Sequence, residues 1–341
     1  MEQRVLGRSG IRVSRLCLGA MMFGGATDAA TSRRIIARAA EAGINFLDTA
    51  DAYNGGRSED VVGEAIAADR HAWVVATKIG NALGPGPNRG GLSRRWVVQG
   101  AEECLRRLRA DHIDILYLHK EDHATPLEVT VRALGDLVRA GKIRHFGVSN
   151  HRSWRIAEIC ALCDRMGLDR PVVSQPYYNA MNRQPEVEQL PAAAHYGLGV
   201  VPYSPLARGV LAAKYRPGEA PPAGTRAARA DRRMMETEWR EESLAIAQAI
   251  REHAEARGAT PVAFALGWVL NNALVTGTIV GPRTEAQMED YLAALSYRFT
   301  AEDEALVDRL VPAGHPSTPG YNDPAYPLEG RVPVTATPRA R

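Results

Sequence analysis

The chain has 341 residues, 45% of them apolar and 24% charged, which is enough for two domains or for one large α/β barrel. Its net charge of +3 is too small to indicate nucleic-acid binding by itself, and the lack of any run of about 18 apolar residues argues against a membrane span. Four cysteines are few for a disulfide scaffold and the N-terminus has no export signal, so we expect a cytoplasmic protein.

The first predicted element is a β-hairpin in VLGRSGIRVS, which turns at Ser9-Gly10 and which we expect to plug the amino-terminal end of a barrel. Beyond it, short apolar runs alternate with helical patterns about eight times, as in a parallel sheet. In a chain of this size the alternation favours a single (β/α)8 barrel of the TIM type over residues 1–341 rather than an open doubly wound sheet. The predicted strands are 16–19, 44–48, 73–78, 113–119, 145–150, 172–176, 199–204 and 277–281.

The predicted helices between these strands begin and end at capping residues. Ser93 is a predicted N-cap, and Gly43 and Gly141 end two of the helices. Another helix carries Cys160 and Cys163 as a C-x-x-C pair. Because the sequence has no second such pair and no nearby histidine set, we expect the two thiols to pack in the interior rather than to bind zinc or to act in redox chemistry.

Three segments depart from the repeating unit. Residues 207–242, after the seventh barrel strand, are predicted to form a long basic loop rich in proline, glycine and alanine. Residues 84–91, GPGPNRGG, lack the spacing of a dinucleotide-binding motif and are predicted to form a loop over the pocket. Residues 312–341 are rich in proline and are predicted to form an irregular C-terminal tail.

Polar side chains occur where most of the predicted strands end, and in such barrels the active site lies at that edge. Each one alone has a structural explanation: a buried ion pair for Asp48 and Lys78, a core histidine for His119, and a rim aromatic for Tyr53. Their convergence on one rim favours a functional site. The residues at or just beyond the strand ends are Asp48, Tyr53, Lys78, His119, Ser149, Asn150, Gln175, Tyr203, Ser204 and Arg283.

The first four of these residues suit proton transfer to a carbonyl oxygen. A free tyrosine has a pKa of about 10, and a neighbouring cation such as Lys78 lowers it. Asp48 can hold Lys78 charged, and His119 can hydrogen-bond a substrate oxygen or share the proton. No side chain can donate a hydride, so carbonyl reduction here requires a nicotinamide cofactor. No G-x-G-x-x-G follows a strand, which argues against a Rossmann site.

These residues lie in motifs that resemble the aldo-keto reductase superfamily across nearly the whole chain. The motifs are LDTADAYNGGRSED, VVATK, DHIDILYLHKED, GKIRHFGVSN, SQPYYN and VPYSPLARGVLAAKY. The resemblance implies an NADP-dependent oxidoreductase that reduces aldehydes and ketones, reversibly towards secondary alcohols. It implies a catalytic tetrad of Asp48, Tyr53, Lys78 and His119, with Tyr53 as the general acid.

The same resemblance implies how NADPH or NADP⁺ is bound. Ser149, Asn150 and Gln175 would bind the nicotinamide carboxamide, and Tyr203 would stack on the ring. The loop over 207–242 would then be a clasp over the cofactor, although its distal arginines also fit a solvated surface loop. The residues implied for the pyrophosphate are Ser204, Leu206, Arg208, Gly209 and Lys214, and the further implied contacts are Gly19, Met21, Asp48, Gly281, Arg283, Gln287 and Asp290.

The segment GPRTEAQMED (281–290) is implied to hold the adenosine end of the cofactor. Thr284 and Gln287 have the spacing of a capping box, and a helix N-terminus favours anions. Arg283 adds a guanidinium fork for a 2′-phosphate, so we expect NADPH rather than NADH. Asp290-Tyr291 stands where the family often has Glu-Asn, which leaves the adenine contacts open.

The substrate and the partners are less determined. His123 fits either the substrate site or the surface, and Tyr321 and Tyr326 either cover the pocket or anchor the tail. The tail is similar to that of bacterial relatives acting on bulky ketones and secondary alcohols, trichothecenes among them. We expect a small-molecule substrate, no metal, no nucleic acid, no membrane, and a monomer or homo-oligomer. Two alternatives are a partner-binding barrel of the channel β-subunit type and a lyase with Lys78 as Schiff-base nucleophile.

Overall fold

In a computed structural model of the chain, residues 1–327 are described, and the last part of the predicted tail, residues 328–341, lies outside them. The chain divides into two compact units. The first consists of Met1–Tyr177, Glu188–Tyr203 and Leu270–Ala293, and the second of Tyr178–Val187, Ser204–Val269 and the chain from residue 294 onward. The assignment of residues 1–341 to a single domain stays a prediction.

Eight parallel strands in the first unit form the sheet of the predicted (β/α)8 barrel. After the antiparallel hairpin of β1 (Gln3–Val5) and β2 (Arg12–Ser14), they are β3 (Leu16–Gly19), β4 (Phe46–Asp48), β5 (Val74–Ile79), β6 (Ile113–Leu118), β7 (Ile143–Ser149), β8 (Val173–Gln175), β9 (Gly199–Val200) and β10 (Thr278–Val280). Each strand from β3 to β8 pairs with its successor, and β10 pairs with β3. The ring closes between β9 and β10, where the amide of Thr276 donates to the carbonyl oxygen of Val200 at 2.8 Å.

Helices follow the strands at the positions that the apolar spacing predicts. In the first unit they are α1 (Ala29–Glu41), α2 (Arg57–Ile66), α3 (Arg94–Leu108), α4 (Leu127–Arg139), α5 (Ser153–Met166) and α6 (Gln189–Tyr196). The Ser93 hydroxyl accepts from the Trp96 amide at 3.3 Å, which confirms Ser93 as the N-cap of α3. Cys160 and Cys163 on α5 are fully buried free thiols, as expected for packing residues.

The hairpin closes the amino-terminal end of the barrel, as the sequence predicts. Leu6 and Val13 belong to one buried cluster with Cys17, Phe46 and other strand residues. Gly7 has a φ of +51°, and a Cβ there would lie 2.4 Å from the Val172 carbonyl oxygen. Only glycine allows the hairpin to lie this close to the start of β8.

The second unit contains one short helix that the sequence analysis assigned to a loop, and further helices after it. The chain forms α7 (Arg232–Thr237) and α8 (Glu241–Ala256), followed by α9 (Pro261–Asn271), α10 (Glu285–Ala294) and α11 (Ala301–Leu310), of which α10 lies mostly in the first unit. The prediction of a loop over 207–242 is therefore wrong for its last part. The Asp231 carboxylate accepts from the Met234 amide at 3.0 Å, and this cap starts a short helix within a segment rich in glycine and proline.

The described part of the C-terminal tail contains no helix or strand, as predicted. It is attached through Tyr321, whose hydroxyl donates to the Glu236 carbonyl oxygen at 3.0 Å. The Arg240 guanidinium lies 3.9 Å from the centre of the same ring. Tyr321 thus anchors the tail to α7 and to the residue that precedes α8. None of the helices in residues 1–327 has the length and the apolar character that crossing a membrane requires.

Candidate active site

A buried lysine lies at the centre of the polar residues at the strand ends. Lys78, on β5, is fully buried, and its ammonium donates to the carboxylate of Asp48 at the end of β4. It also donates to the Thr49 carbonyl oxygen at 2.8 Å and to the Tyr53 hydroxyl at 3.2 Å. Adjacent parallel strands end at the same edge of the sheet, so β4 and β5 bring the side chains of Asp48 and Lys78 together.

The charge on Lys78 is stabilised by its neighbours. Burial opposes the ammonium form, but Asp48 and then Tyr53 outweigh it and raise the pKa of Lys78 above its usual range. The Asp48 carboxylate is fixed by a second donor, since Gln175 Nε2 on β8 lies 2.9 Å from Asp48 Oδ2. Lys78 therefore remains a cation beside the Tyr53 phenol at neutral pH.

His119 lies beside Tyr53, just beyond the end of β6. The two rings meet edge to face, with centroids 5.8 Å apart and an interplanar angle of 83°. His119 is partly exposed, but dense surroundings and the cations of Lys78 and Lys120 lower its pKa well below the usual value. The imidazole is therefore neutral at pH 7, and its Nδ1 lies 3.0 Å from the amide nitrogen of Asn81.

Four further predicted residues form a second polar group in the first unit. The Ser149 hydroxyl donates to the Gln175 carbonyl oxygen at 2.9 Å and accepts from Asn150 Nδ2 at 3.1 Å. Asn150 Nδ2 also donates to the His119 carbonyl oxygen at 2.9 Å, and the Tyr203 hydroxyl donates to Asn150 Oδ1 at 2.8 Å. One hydrogen-bond network thus joins this group to the backbone of His119.

Tyr203 presents an aromatic surface in the same group. Its ring stacks on Tyr177 with centroids 5.5 Å apart and an interplanar angle of 25°. The predicted stacking of Tyr203 on a nicotinamide stays a prediction, as do the carboxamide contacts of Ser149, Asn150 and Gln175.

The residues predicted to hold the adenosine end begin helix α10. The Thr284 hydroxyl accepts from the Gln287 amide at 3.3 Å, as a capping residue should. Gln287 Oε1 accepts from the Arg283 amide at 2.8 Å, not from that of Thr284, so the reciprocal bond of the predicted capping box falls one residue earlier. The Arg283 guanidinium makes no hydrogen bond or ion pair with any residue of 1–327. A free cation therefore lies at the positive end of this helix.

The remaining residues of the first unit that were predicted to contact the cofactor differ in how exposed they are. Gly19 ends β3 directly opposite Asp48, and a Cβ there would lie 2.6 Å from the Ile279 side chain. Met21, Gly281 and Asp290 are exposed. His123 is also exposed, and its Nε2 lies 3.3 Å from a Glu121 carboxylate oxygen, which fits both of its predicted roles.

The residues predicted to hold a pyrophosphate all lie in the second unit. Ser204 and Arg208 have φ angles of +57° and +51°, and Gly209 has a φ of +98°, so the chain winds tightly here. The Arg208 guanidinium donates to the Thr237 hydroxyl at 3.1 Å, which ties this turn to α7. The Gly209 amide donates to the Leu206 carbonyl oxygen at 2.7 Å. The contacts of these residues and of Lys214 with a pyrophosphate stay a prediction.

Three residues near the tetrad were given no role in the sequence analysis: Asn81, Glu59 and Asp51. Asn81 follows β5 by two residues, and its only sequence signal is a polar side chain beyond a strand end. Glu59 is fully buried and accepts from Thr77 at 2.5 Å and from Arg107 at 2.6 Å. Asp51 is buried without a side-chain partner, and burial followed by the charge of Glu59 raises its pKa to about 8.

Comparisons with known proteins agree with this architecture. The sequence profile of the Aldo/keto reductase family matches residues 15–312. The probable voltage-gated potassium channel subunit beta of Arabidopsis thaliana is 35% identical over 300 residues, which cover 86% of this chain and 91% of that protein. The uncharacterized oxidoreductase YrpG of Bacillus subtilis is 35% identical over 331 residues, which cover 94% of this chain and 98% of that protein. The L-glyceraldehyde 3-phosphate reductase of Escherichia coli O157:H7 is 31% identical over 329 residues, which cover 92% of this chain and 93% of that protein. Because the profile and the relatives extend over most of the barrel, the chain belongs to the aldo/keto reductase family.

Proposed function

We propose that the protein is an NADPH-dependent oxidoreductase that reduces aldehydes and ketones to alcohols and runs in reverse on secondary alcohols. The observation that carries the proposal is the Tyr53 hydroxyl, 3.2 Å from a fully buried lysine ammonium and beside a neutral histidine. A phenol in this position is prepared to give up a proton, because the adjacent cation favours the phenolate that remains.

Each member of the tetrad has a distinct task in this proposal. Tyr53 donates the proton to the carbonyl oxygen, and Lys78 stabilises the resulting phenolate. Asp48 keeps Lys78 charged and aimed, and is itself held by Gln175. His119 offers a hydrogen bond to the same carbonyl oxygen. In alcohol oxidation the proton returns to Tyr53.

The residues of the first unit fit a nicotinamide cofactor. When bound, the reduced nicotinamide supplies the hydride that no side chain can supply. Ser149, Asn150 and Gln175 offer amide and hydroxyl groups to a carboxamide, next to the backbone of His119. The unpaired guanidinium of Arg283 at the start of α10 supports a 2′-phosphate there, and hence NADPH over NADH.

The substrate class follows from the chemistry rather than from the pocket shape. The tetrad requires only a carbonyl carbon within reach of the hydride and an oxygen within reach of Tyr53. On the resemblance of the tail we extend the proposal to bulky ketones and secondary alcohols. The E. coli relative is named as a reductase of L-glyceraldehyde 3-phosphate, so a small phosphorylated aldehyde also belongs in a substrate screen.

A second candidate function is partner binding, as in a channel β-subunit, with reductase activity only vestigial. The observation in its favour is the 35% identity to the Arabidopsis protein named as such a subunit. The tetrad supports catalysis and is compatible with this second function as well. The third hypothesis, a Schiff-base lyase, requires a neutral amine on Lys78. The raised pKa of that lysine keeps the amine protonated and so argues against this hypothesis.

The proposal is tested by titrating the purified protein with NADPH and NADH under fluorescence detection, and then by following NADPH consumption with 4-nitrobenzaldehyde. Tight NADPH binding with turnover supports the reductase. Binding without turnover of any carbonyl compound favours the partner-binding function. An adduct on Lys78 trapped by borohydride would support the lyase.

A further inference from the structure

The side chain of Asn81 holds one edge of the His119 ring. Gly80 follows β5 with a φ of +119°, a left-handed turn that glycine adopts without strain. This turn precedes Asn81, whose Nδ2 lies 3.0 Å from His119 Nδ1. The backbone of His119 is held separately, because its amide donates to the Ile79 carbonyl oxygen at 2.9 Å and its carbonyl oxygen accepts from Asn150. Asn81 is the residue that contacts the ring nitrogen itself.

The orientation of the Asn81 amide in this structure gives the direction of this hydrogen bond. The amide nitrogen faces the ring and can only donate, so His119 Nδ1 accepts and carries no proton. A neutral imidazole with a bare Nδ1 has its proton on Nε2. His119 Nε2 makes no hydrogen bond with any residue of 1–327, and therefore remains available to a ligand.

The tautomer decides what His119 can do for a substrate. An Nε2–H group donates to a carbonyl oxygen and to the negative charge that develops on it, whereas a bare Nε2 repels that oxygen. Because the pKa of His119 is low, the ring carries only one proton at neutral pH, and that proton must be on Nε2 for the ring to donate to the substrate. Without the contact from Asn81, the neutral ring is free to exchange its proton between the two nitrogens.

We propose that Asn81 is a positioning residue that fixes the Nε2–H tautomer of His119 and so makes this histidine a hydrogen-bond donor to the substrate's carbonyl oxygen. The catalytic part of the inference rests on the proposed reductase function. The tautomer part does not, and it is tested on the protein without any substrate.

The first experiment is two-dimensional ¹H–¹⁵N and ¹³C NMR of histidine rings in the full chain, with the His119 signals identified by their loss in His119→Gln. The expected result for the wild-type protein at pH 7 is a neutral His119 with the Nε2–H tautomer. An Nδ1–H tautomer would mean that the Asn81 amide presents its oxygen instead, and would overturn the proposal.

The second experiment compares Asn81→Asp with Asn81→Ala. Aspartate has nearly the same shape but only accepts, so it enforces Nδ1–H on a neutral ring and raises the pKa of His119. Alanine removes the donor without adding an acceptor. The charged and titratable groups around the ring are Tyr53, Lys78 and Lys120, and they are unchanged in both variants.

The two variants should differ in their pH profiles. Below the raised pKa, the Asp variant has a doubly protonated ring that still donates from Nε2. Above it, Nε2 is bare, and kcat should fall roughly 10- to 100-fold below wild type by about pH 9. The Ala variant should lose less activity, and its kcat should show no such fall at high pH. NADPH affinity should stay unchanged in both.

A purely structural role makes the opposite prediction. In that case the isosteric Asp variant keeps more activity than the Ala variant at every pH, and the descending limb is absent, which would overturn the proposal. If the wild-type protein has no reductase activity, the proposed function fails, and the ring NMR still decides whether Asn81 sets the tautomer.

Discussion

The ammonium of Lys78 lies 3.2 Å from the hydroxyl of Tyr53 while it remains bonded to the carboxylate of Asp48. Lys78 is fully buried, so its charge acts on the phenol through a medium of low dielectric constant and is screened little by salt. The bonds to Asp48 and to the Thr49 carbonyl oxygen hold the ammonium at this position. This relationship supports the proposed role of Tyr53 as the proton donor.

Replacing Tyr53 with phenylalanine should abolish most turnover, because it removes the proton donor and little else. We expect kcat for a reactive aldehyde to fall by roughly 10²- to 10⁴-fold, with the NADPH dissociation constant nearly unchanged. Stopped-flow turnover and fluorescence titration measure the two quantities. Tyr196→Phe on α6 removes the same hydroxyl away from the tetrad and should leave both unaltered. Full activity in Tyr53→Phe would remove this tyrosine from its assigned role.

The cofactor preference should depend on Arg283. Its guanidinium has no partner within residues 1–327 and lies at the start of α10, so Arg283→Ala should weaken NADPH binding much more than NADH binding. Loss of one charge-assisted phosphate contact corresponds to roughly 1.5–3 kcal/mol, or about 10- to 150-fold. Arg38→Ala, which removes a cation already paired with Glu289 on the same helix, is the matched control. Equal losses for NADPH and NADH would place the 2′-phosphate elsewhere.

The strands, and the meeting of the four residues proposed as the tetrad, were predictable because they obey simple rules. Apolar runs bounded by turn residues predicted the eight strands. Lys78 and Asp48 were recognised as candidates because each is a polar residue near a predicted strand end. Asn81 escaped notice because its position depends on the left-handed turn at Gly80, whose effect on the neighbouring chain no local pattern records. Helix α7 was missed because it is short and lies in a segment rich in breakers, where the cap at Asp231 decides the outcome.

The burial of Asp51 and Glu59 in LDTADAYNGGRSED was also not predictable from the sequence. Asp51 and Glu59 are spaced like loop and helix-surface residues, yet the structure buries both. Glu59 is stabilised by Arg107 from α3, a residue 48 positions away in sequence. A pairing over that distance is a property of the folded barrel and leaves no trace in either local segment.

Removing the cation of this buried pair should destabilise the barrel. Glu59 is fully buried, and Arg107→Met would leave its carboxylate without a cation while keeping much of the side-chain volume. We expect a loss of about 3–5 kcal/mol in the free energy of unfolding, measured by urea titration. Arg106→Met, at an exposed neighbouring position of α3, should change it little. A similar loss in both variants would mean that the effect comes from the helix rather than from the pair.

Asp51 should make the stability of the barrel fall as the pH rises. Its pKa is raised from 3.8 in the unfolded chain to about 8 in the fold, by burial and by the charge of Glu59. Below pH 4 both states hold the proton, so the group has no effect. Between pH 4 and 8 the unfolded state releases the proton and the folded state keeps it, so folding loses about 1.4 kcal/mol per pH unit. Above pH 8 both states are ionised and the penalty stays constant.

Replacing Asp51 with asparagine should remove this dependence, because the amide cannot ionise. The free energy of unfolding of Asp51→Asn, relative to wild type, should therefore rise by a few kcal/mol between pH 5 and pH 8. Urea titrations at several pH values measure it, and Asp169→Asn, at an exposed position, should follow the wild-type curve. A constant difference between Asp51→Asn and wild type across this range would show that Asp51 ionises at the same pH in both states. In that case the buried carboxyl would have to be stabilised as an anion, and Arg107 and Lys78 are the cations whose charges already favour that form.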